Sequence, residues 1–465
     1  MVAWVPDLLY ASGRFERGLA LVCGPDGRIA RLAPVAEIED GVEIIRLAGR
    51  AMLPGLVNAH SHAFQRVIRG RTEYRTGGRD TFWTWREMMY SAAQRLGPEE
   101  IYDASRMAFV EMALGGITAV GEFHYIHHAP DGAAYSDPNL LAKEVARAAR
   151  DVGLRIAVLR VFYARSGHST GPNAHQARFI EKDAGVYLRH VESLMSDLAR
   201  AHADHGAWAG CAPHSLRAVP LDSVREIVRF ARSGGLPLHM HIAEQPAEVA
   251  AVTAEYGRPP VALLAGEELL DQRLTAVHAV HVNSDEVRAL ARAGSIVCAC
   301  PTTERNLGDG IVRADALFSA GARIALGTDS HTQIDLLEDA RELEYHLRLQ
   351  RLERAVLAPD APGETTALAA RLFDCATVTG AQSIGAQSGR LEANRWADFF
   401  TVARDDPSIA GAAPDDLLSA IIFSLSRTAV RDVAVGGRLI VAGGRHPAQD
   451  EIVSRFAALQ RKLWG

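Results

Sequence analysis

Eight short apolar runs, at 52–60, 117–123, 156–163, 207–213, 236–242, 274–281, 295–300 and 323–328, recur along the middle of the chain with helix-like stretches between them. That rhythm predicts repeated strand–helix units, and eight of them predict a TIM-type (β/α)8 barrel over 52–384. Between 99 and 116, Ile101, Ala104, Ala108 and Met112 return at helical spacing. Gly115-Gly116 then supplies a stop just before the second strand. The flanks follow another period. Residues 1–51 and about 385–446 are rich in Val, Ile, Leu and Gly at β-like spacing, with turns at Pro25-Asp26-Gly27 and Gly436-Gly437. They predict one small β-sandwich-like domain built from both chain ends, followed by a C-terminal helix at 447–465. No repeat of solenoid length and no low-complexity tract interrupts this α/β plan.

Composition narrows the picture. A chain of 465 residues exceeds one ordinary core but suits a barrel with an appendage. The 50 Lys plus Arg against 56 Asp plus Glu give a charge of −6, a poor electrostatic footprint for nucleic acid. Five scattered cysteines argue against a disulfide framework, and Cys298-Ala299-Cys300 reads as the core of strand seven rather than a metal pair. The arginine-rich stretch 342–354 reads as a solvated helix face. The N-terminus Met-Val-Ala-Trp-Val-Pro-Asp lacks the basic start and apolar stretch of a signal peptide, and no uncharged run is long enough to span a bilayer. The expected location is the cytoplasm, with no membrane partner.

Candidate chemistry gathers at the predicted strand ends. Strand one ends in Asn58-Ala59-His60-Ser61-His62, and the two-residue repeat of a strand puts His60 and His62 on one face, where two imidazoles can grip one metal. A His-x-His pair alone more often marks hydrogen-bonded histidines than ligands. Strand five brings His241, with Glu244 three residues later to shuttle a proton, and His239 one pleat deeper as a packed histidine. Strand six adds His278 and His281, and strand eight adds Asp329 and His331. In a TIM barrel these C-terminal ends converge over one mouth. Zinc accepts imidazole nitrogens and a carboxylate oxygen while leaving a position for water, whose pKa it lowers to about 7.

In the strand-one His-x-His, His241 with Glu244, His278 and Asp329, the chain resembles the mononuclear metal-dependent amidohydrolases over nearly its whole length. The resemblance implies that His60, His62, His241 and Asp329 bind zinc, and that Asp329 also takes the proton from the water. His278 would orient the water or polarise the scissile group, and Glu244 would protonate the departing nitrogen. Binuclear relatives carry a lysine at strand four; here Cys211-Ala212-Pro213-His214-Ser215-Leu216-Arg217 has none, which favours one metal. The spacing on strand five points to the deaminating branch.

Four segments, 82–90, 121–125, 213–217 and 328–333, further resemble members of that branch that hydrolyse N-formimidoyl-L-glutamate to N-formyl-L-glutamate and ammonia in histidine degradation. A substrate with two carboxylates and a cationic formamidine calls for planar, permanently charged donors. Arg86 and Arg217 are the candidates, with Tyr125 and His214 hydrogen-bonding the carboxylates and Gln65 positioning the formimino group. For Arg86 a plain surface role stays open, and Trp83 and Trp85 either wall the pocket or pack a loop. The alternatives are a purine, pterin or other heterocycle deaminase, and a noncatalytic barrel. The resemblance also suggests a homodimer.

Overall fold

The computed structural model describes residues 1–75, 81–167, 170–171, 174–201, 206–361 and 363–465. Eight parallel strands follow one another around a barrel in chain order: β1 (Leu56–Ser61), β2 (Ile117–His124), β3 (Arg155–Phe162), β4 (Ala207–Pro213), β5 (Leu238–Ile242), β6 (Leu274–His278), β7 (Ile296–Ala299) and β8 (Arg323–Leu326). The ring closes where Ser61 bridges Asp329 in parallel. There the Asp329 N–H donates to the His60 carbonyl and the His62 N–H to the Asp329 carbonyl, both at 3.0 Å. The barrel therefore shuts on its own candidate metal residues.

Every residue of β1 and β2 is buried, because helices cover the outer face while side chains fill the lumen. The helix Pro98–Leu114 shows how local signals build that cover. Pro98 opens it, Glu100 accepts the Gly97 N–H at 2.9 Å, and Ile101, Ala104, Ala108 and Met112 form its buried stripe. It stops at Gly115, ahead of β2.

The chain ends form a second, mixed sheet of eight strands. Glu43–Pro54 lies inside it, parallel to Val2–Ala11 on one side and antiparallel to Phe399–Ala403 on the other. Trp4, Leu21, Met52 and Phe399 share one apolar cluster, with the Trp4 and Phe399 rings edge to face at 5.3 Å.

Three boundaries differ from those the apolar runs predict. The run at 52–60 is two strands: residues up to Pro54 complete the terminal sheet, and Leu56 begins the barrel. Gly55 marks the crossing, where a Cβ would fall 2.3 Å from Thr118 Oγ1. The run at 274–281 leaves the strand at His278, since His278 and Ala279 take positive φ (71° and 49°) and turn the chain across the mouth. Within the β-like C-terminal flank, Pro414–Ser424 is a helix that buries Leu417, Leu418, Ile421 and Ile422. Among the described residues no helix is long and apolar enough to cross a membrane.

Candidate active site

A cleft opens at the C-terminal ends of the barrel strands, lined by residues from every quarter of the mouth. The segments leaving the strand ends around it are conformationally strained: Ala243, His278, Ala279, Asp329 and His331, none of them glycine, all adopt positive φ. Such outliers persist where surrounding packing over-determines them, and they cluster at functional sites.

On the floor, His60 Nε2 and His62 Nε2 face each other at 3.2 Å, and Asp329 Oδ1 lies 3.4 and 3.2 Å from them. His241 completes a buried group of four whose donor atoms all lie within 4.8 Å of one another. The outer nitrogens fix the tautomers. His62 Nδ1 faces the Phe123 carbonyl at 3.0 Å and His241 Nδ1 faces the His214 carbonyl at 3.2 Å. A nitrogen facing a carbonyl carries the hydrogen, so both Nε2 lone pairs point into the cluster. Burial pushes His60 down to about 3, leaving it neutral. Three imidazoles around one carboxylate are a donor set fit for zinc.

Buried hydrogen bonds support this floor. Glu122 accepts Ser61 Oγ at 2.5 Å and the Ala63 N–H at 2.7 Å, clasping the strand end on either side of His62. Ser61 also meets His331 Nε2 at 3.0 Å, and His331 Nδ1 meets Thr328 Oγ1 at 3.1 Å. Thr328 is held in turn by Asn58.

Above the cluster stand the proton-handling groups. His278 Nδ1 lies 3.2 Å from Glu304 Oε1, while its Nε2, 3.6 Å from Glu244 and 3.9 Å from Asp329, has no hydrogen-bond partner. Burial opposes charge on this ring, but Glu244, Glu304 and Asp329 together hold it well above the ordinary imidazole range. Burial pushes Glu244 up to about 7 against the pull of His278. Glu248 accepts the Glu244 N–H at 3.0 Å and so fixes that backbone. His239 lies elsewhere, fully buried with Nε2 2.9 Å from the Ser383 carbonyl.

The opposite wall is cationic. Arg86, on the helix Phe82–Ala93, donates to Tyr163 Oη at 3.1 Å, and Arg217, past the end of β4, reaches the same oxygen at 3.3 Å and the Ser166 carbonyl at 2.8 Å. Neither guanidinium forms an ion pair with a carboxylate among the described residues. Gln65 Nε2 donates to Tyr125 Oη at 3.0 Å, and Gln65 Oε1 is buried without a partner. Gln65, Arg86, Tyr125, His214, Arg217, Trp83 and Trp85 all line the cleft alongside His62, His241, Glu244, His278 and Asp329, with His60 directly beneath. Cys298 and Cys300 pack with Ala59, Val277 and Ala325.

The profile of the amidohydrolase family matches residues 51–440. The chain belongs to the amidohydrolase family. Formimidoylglutamate deiminase of Pseudomonas aeruginosa is 38% identical to this amidohydrolase over 449 residues, covering 97% of this chain and 96% of that one. A 5-methylthioadenosine/S-adenosylhomocysteine deaminase of Natronomonas pharaonis is 28% identical over 423 residues, 90% and 87% of the two chains. Among solved structures, an amidohydrolase from Brucella melitensis superposes on the amidohydrolase described here with a TM-score of 0.91, at 33% identity and with both chains fully covered.

Several residues of this amidohydrolase site carry no motif that spacing could find. Gln176, Glu304 and Glu248 are single polar positions brought in by tertiary contacts. Only their burial sets them apart, and burial of a lone polar residue is not legible in one sequence.

Proposed function

We propose that this amidohydrolase is a zinc-dependent deiminase that hydrolyses N-formimidoyl-L-glutamate to N-formyl-L-glutamate and ammonia, with one zinc per subunit held by His60, His62, His241 and Asp329. The observation that carries the reading is the pairing of two walls in one cleft. One wall presents Arg86 and Arg217, which form no ion pair with a carboxylate among the described residues; the other presents Glu244, His278 and the metal-binding floor. A dicarboxylate neutralises the first wall while its formimino carbon reaches the second. The 38% identity to a formimidoylglutamate deiminase over nearly the full length of both chains agrees.

The metal, when bound, supplies a Lewis acid that makes water nucleophilic at neutral pH. The side chains do the rest. Arg86 and Arg217 anchor the carboxylates, and Gln65, steadied by Tyr125, orients the formimino group through its free Oε1. Asp329 accepts a proton from the attacking water. The unpartnered His278 Nε2–H hydrogen-bonds the oxygen that adds to the carbon. Glu244 Oε1 then delivers its proton to the terminal nitrogen, the C–N bond breaks as the vacated Glu244 carboxylate takes the hydroxyl proton of the adduct, and ammonia leaves with the formyl product behind. A carboxyl near 7 is suited to both taking and giving that proton.

Relatives at 28% identity act on 5-methylthioadenosine and S-adenosylhomocysteine. 5-Methylthioadenosine carries no anion and S-adenosylhomocysteine a single carboxylate, so a dicarboxylate matches two guanidiniums better. The deciding assay supplies zinc-loaded enzyme with N-formimidoyl-L-glutamate, 5-methylthioadenosine and adenosine, and follows ammonia together with N-formyl-L-glutamate. Turnover of a purine without turnover of the formimino compound would replace this assignment.

A further inference from the structure

Tyr163 stands at the meeting point of three donors from three separate segments. Its Oη receives Arg86 Nη2 at 3.1 Å, Arg217 Nη1 at 3.3 Å and Gln176 Nε2 at 2.9 Å. Gln176 is itself nearly fully buried and also donates to Tyr90 Oη at 2.9 Å. Tyr163 is 2% exposed, and its ring packs edge to face on His214 at 4.6 Å.

Two guanidiniums repel when brought to one oxygen inside a poorly solvated cleft, so something must hold them there. A protein carboxylate would neutralise them and close the site to anionic ligands. A phenol oxygen accepts from both cations without cancelling their charge, and Gln176 pins that oxygen from a third side. The Arg217 and Arg86 charges accordingly outweigh burial and draw the Tyr163 hydroxyl below its ordinary range. The remaining N–H groups of both arginines then sit at a separation that is fixed by Tyr163.

We propose that Tyr163, held by Gln176, is a specificity-determining residue: it sets the spacing between Arg86 and Arg217 and so selects the distance between the two carboxylates of the ligand. The inference rests on the dicarboxylate reading above, and it concerns chain length rather than chemistry at the formimino carbon. Tyr163 is a positioning residue for the two arginines; the proton transfers belong to other groups.

The experiment compares wild type with Tyr163→Phe, which keeps the ring and removes the oxygen, and with Gln176→Leu, each as zinc-loaded enzyme. Turnover is measured with N-formimidoyl-L-glutamate and with the one-methylene-shorter N-formimidoyl-L-aspartate. Binding of glutarate and succinate is measured by calorimetry, without reliance on turnover. Losing hydrogen bonds to charged groups lowers kcat/KM for the glutamate compound by roughly 10–100-fold, mostly through KM. The distinguishing result is that preference for the five-carbon over the four-carbon ligand collapses in Tyr163→Phe and falls in the same sense in Gln176→Leu. A purely structural loss lowers both ligands alike, and equal discrimination in wild type and Tyr163→Phe overturns the proposal. If wild type turns over neither formimino compound, the functional reading fails separately while the glutarate-to-succinate binding ratio still decides the role of Tyr163.

Discussion

His60 Nε2 and His62 Nε2 lie 3.2 Å apart with Asp329 Oδ1 within 3.4 Å of both. The hydrogens of His62 and His241 are committed to carbonyls on the far sides of the rings, so lone pairs crowd one point and a cation relieves them. Removing metal with a chelator should abolish ammonia release and lower the melting temperature. Zinc readdition should restore both, and elemental analysis should find one equivalent per chain. Full activity in demonstrably metal-free protein would remove the metal from the mechanism.

Glu244→Gln keeps the size of the side chain and loses the proton carrier. Turnover should fall by roughly 10²–10⁴-fold while bound zinc stays at the wild-type level, because Glu244 is not among the four clustered ligands. Steady-state kinetics paired with metal analysis checks this. A loss of zinc matching the loss of rate would make the residue structural.

Arg86 and Arg217 share one acceptor oxygen, so their effects should not add. Arg86→Met and Arg217→Met should each weaken kcat/KM by a few kcal/mol, about 2–4, as a carboxylate of the substrate loses its partner. A double-mutant cycle should show coupling above about 0.5 kcal/mol. Strict additivity would mean that the two guanidiniums act independently.

Gly327 sits where the barrel closes, and a Cβ there would lie 2.7 Å from His60 Cβ and 2.9 Å from the His60 carbonyl. Gly327→Ala must therefore push β1 away from β8. Destabilisation of about 1–3 kcal/mol is expected, with weaker zinc retention against a competing chelator. Normal zinc affinity would show that the floor tolerates the shift.

His239 is fully buried, and burial lowers it to about 4. Below the unfolded value of about 6.5 the unfolded chain binds a proton that the folded ring refuses, so stability falls as pH drops from about 6.5 towards 4. The contribution approaches about 3 kcal/mol at the acid end of that window. Denaturant midpoints for wild type and His239→Gln between pH 7 and pH 4 should diverge accordingly, and parallel curves would assign acid sensitivity to other histidines.

Much of this architecture is written locally. Strands covered on both faces must be continuous apolar runs, so their positions show in the sequence, and a histidine closing such a run marks the mouth without any knowledge of partners. His60, His62, His241 and His278 are legible for that reason, and Asp329 through the family resemblance. An apolar run does not say which sheet it joins, which is why the break at Gly55 is invisible in 52–60. The helix Pro414–Ser424 did leave a trace in Pro414 and in the helical spacing of Leu417, Leu418, Ile421 and Ile422, masked by the β-like composition around it. Tyr163 closes the run 156–163, but the hydrogen bond it shares with Gln176 leaves no trace, because a bond between distant segments has no period.

The central position of Glu43–Pro54 in the terminal sheet has a consequence for synthesis. One edge of that strand can pair with Val2–Ala11 once both have emerged, but its other edge waits for Phe399–Ala403, made hundreds of residues later. At ordinary elongation rates that interval is on the order of tens of seconds. During it, the nascent chain displays an unsatisfied, apolar β-edge at the very segment that leads into β1, a template for pairing with a neighbouring chain until the ribosome finishes.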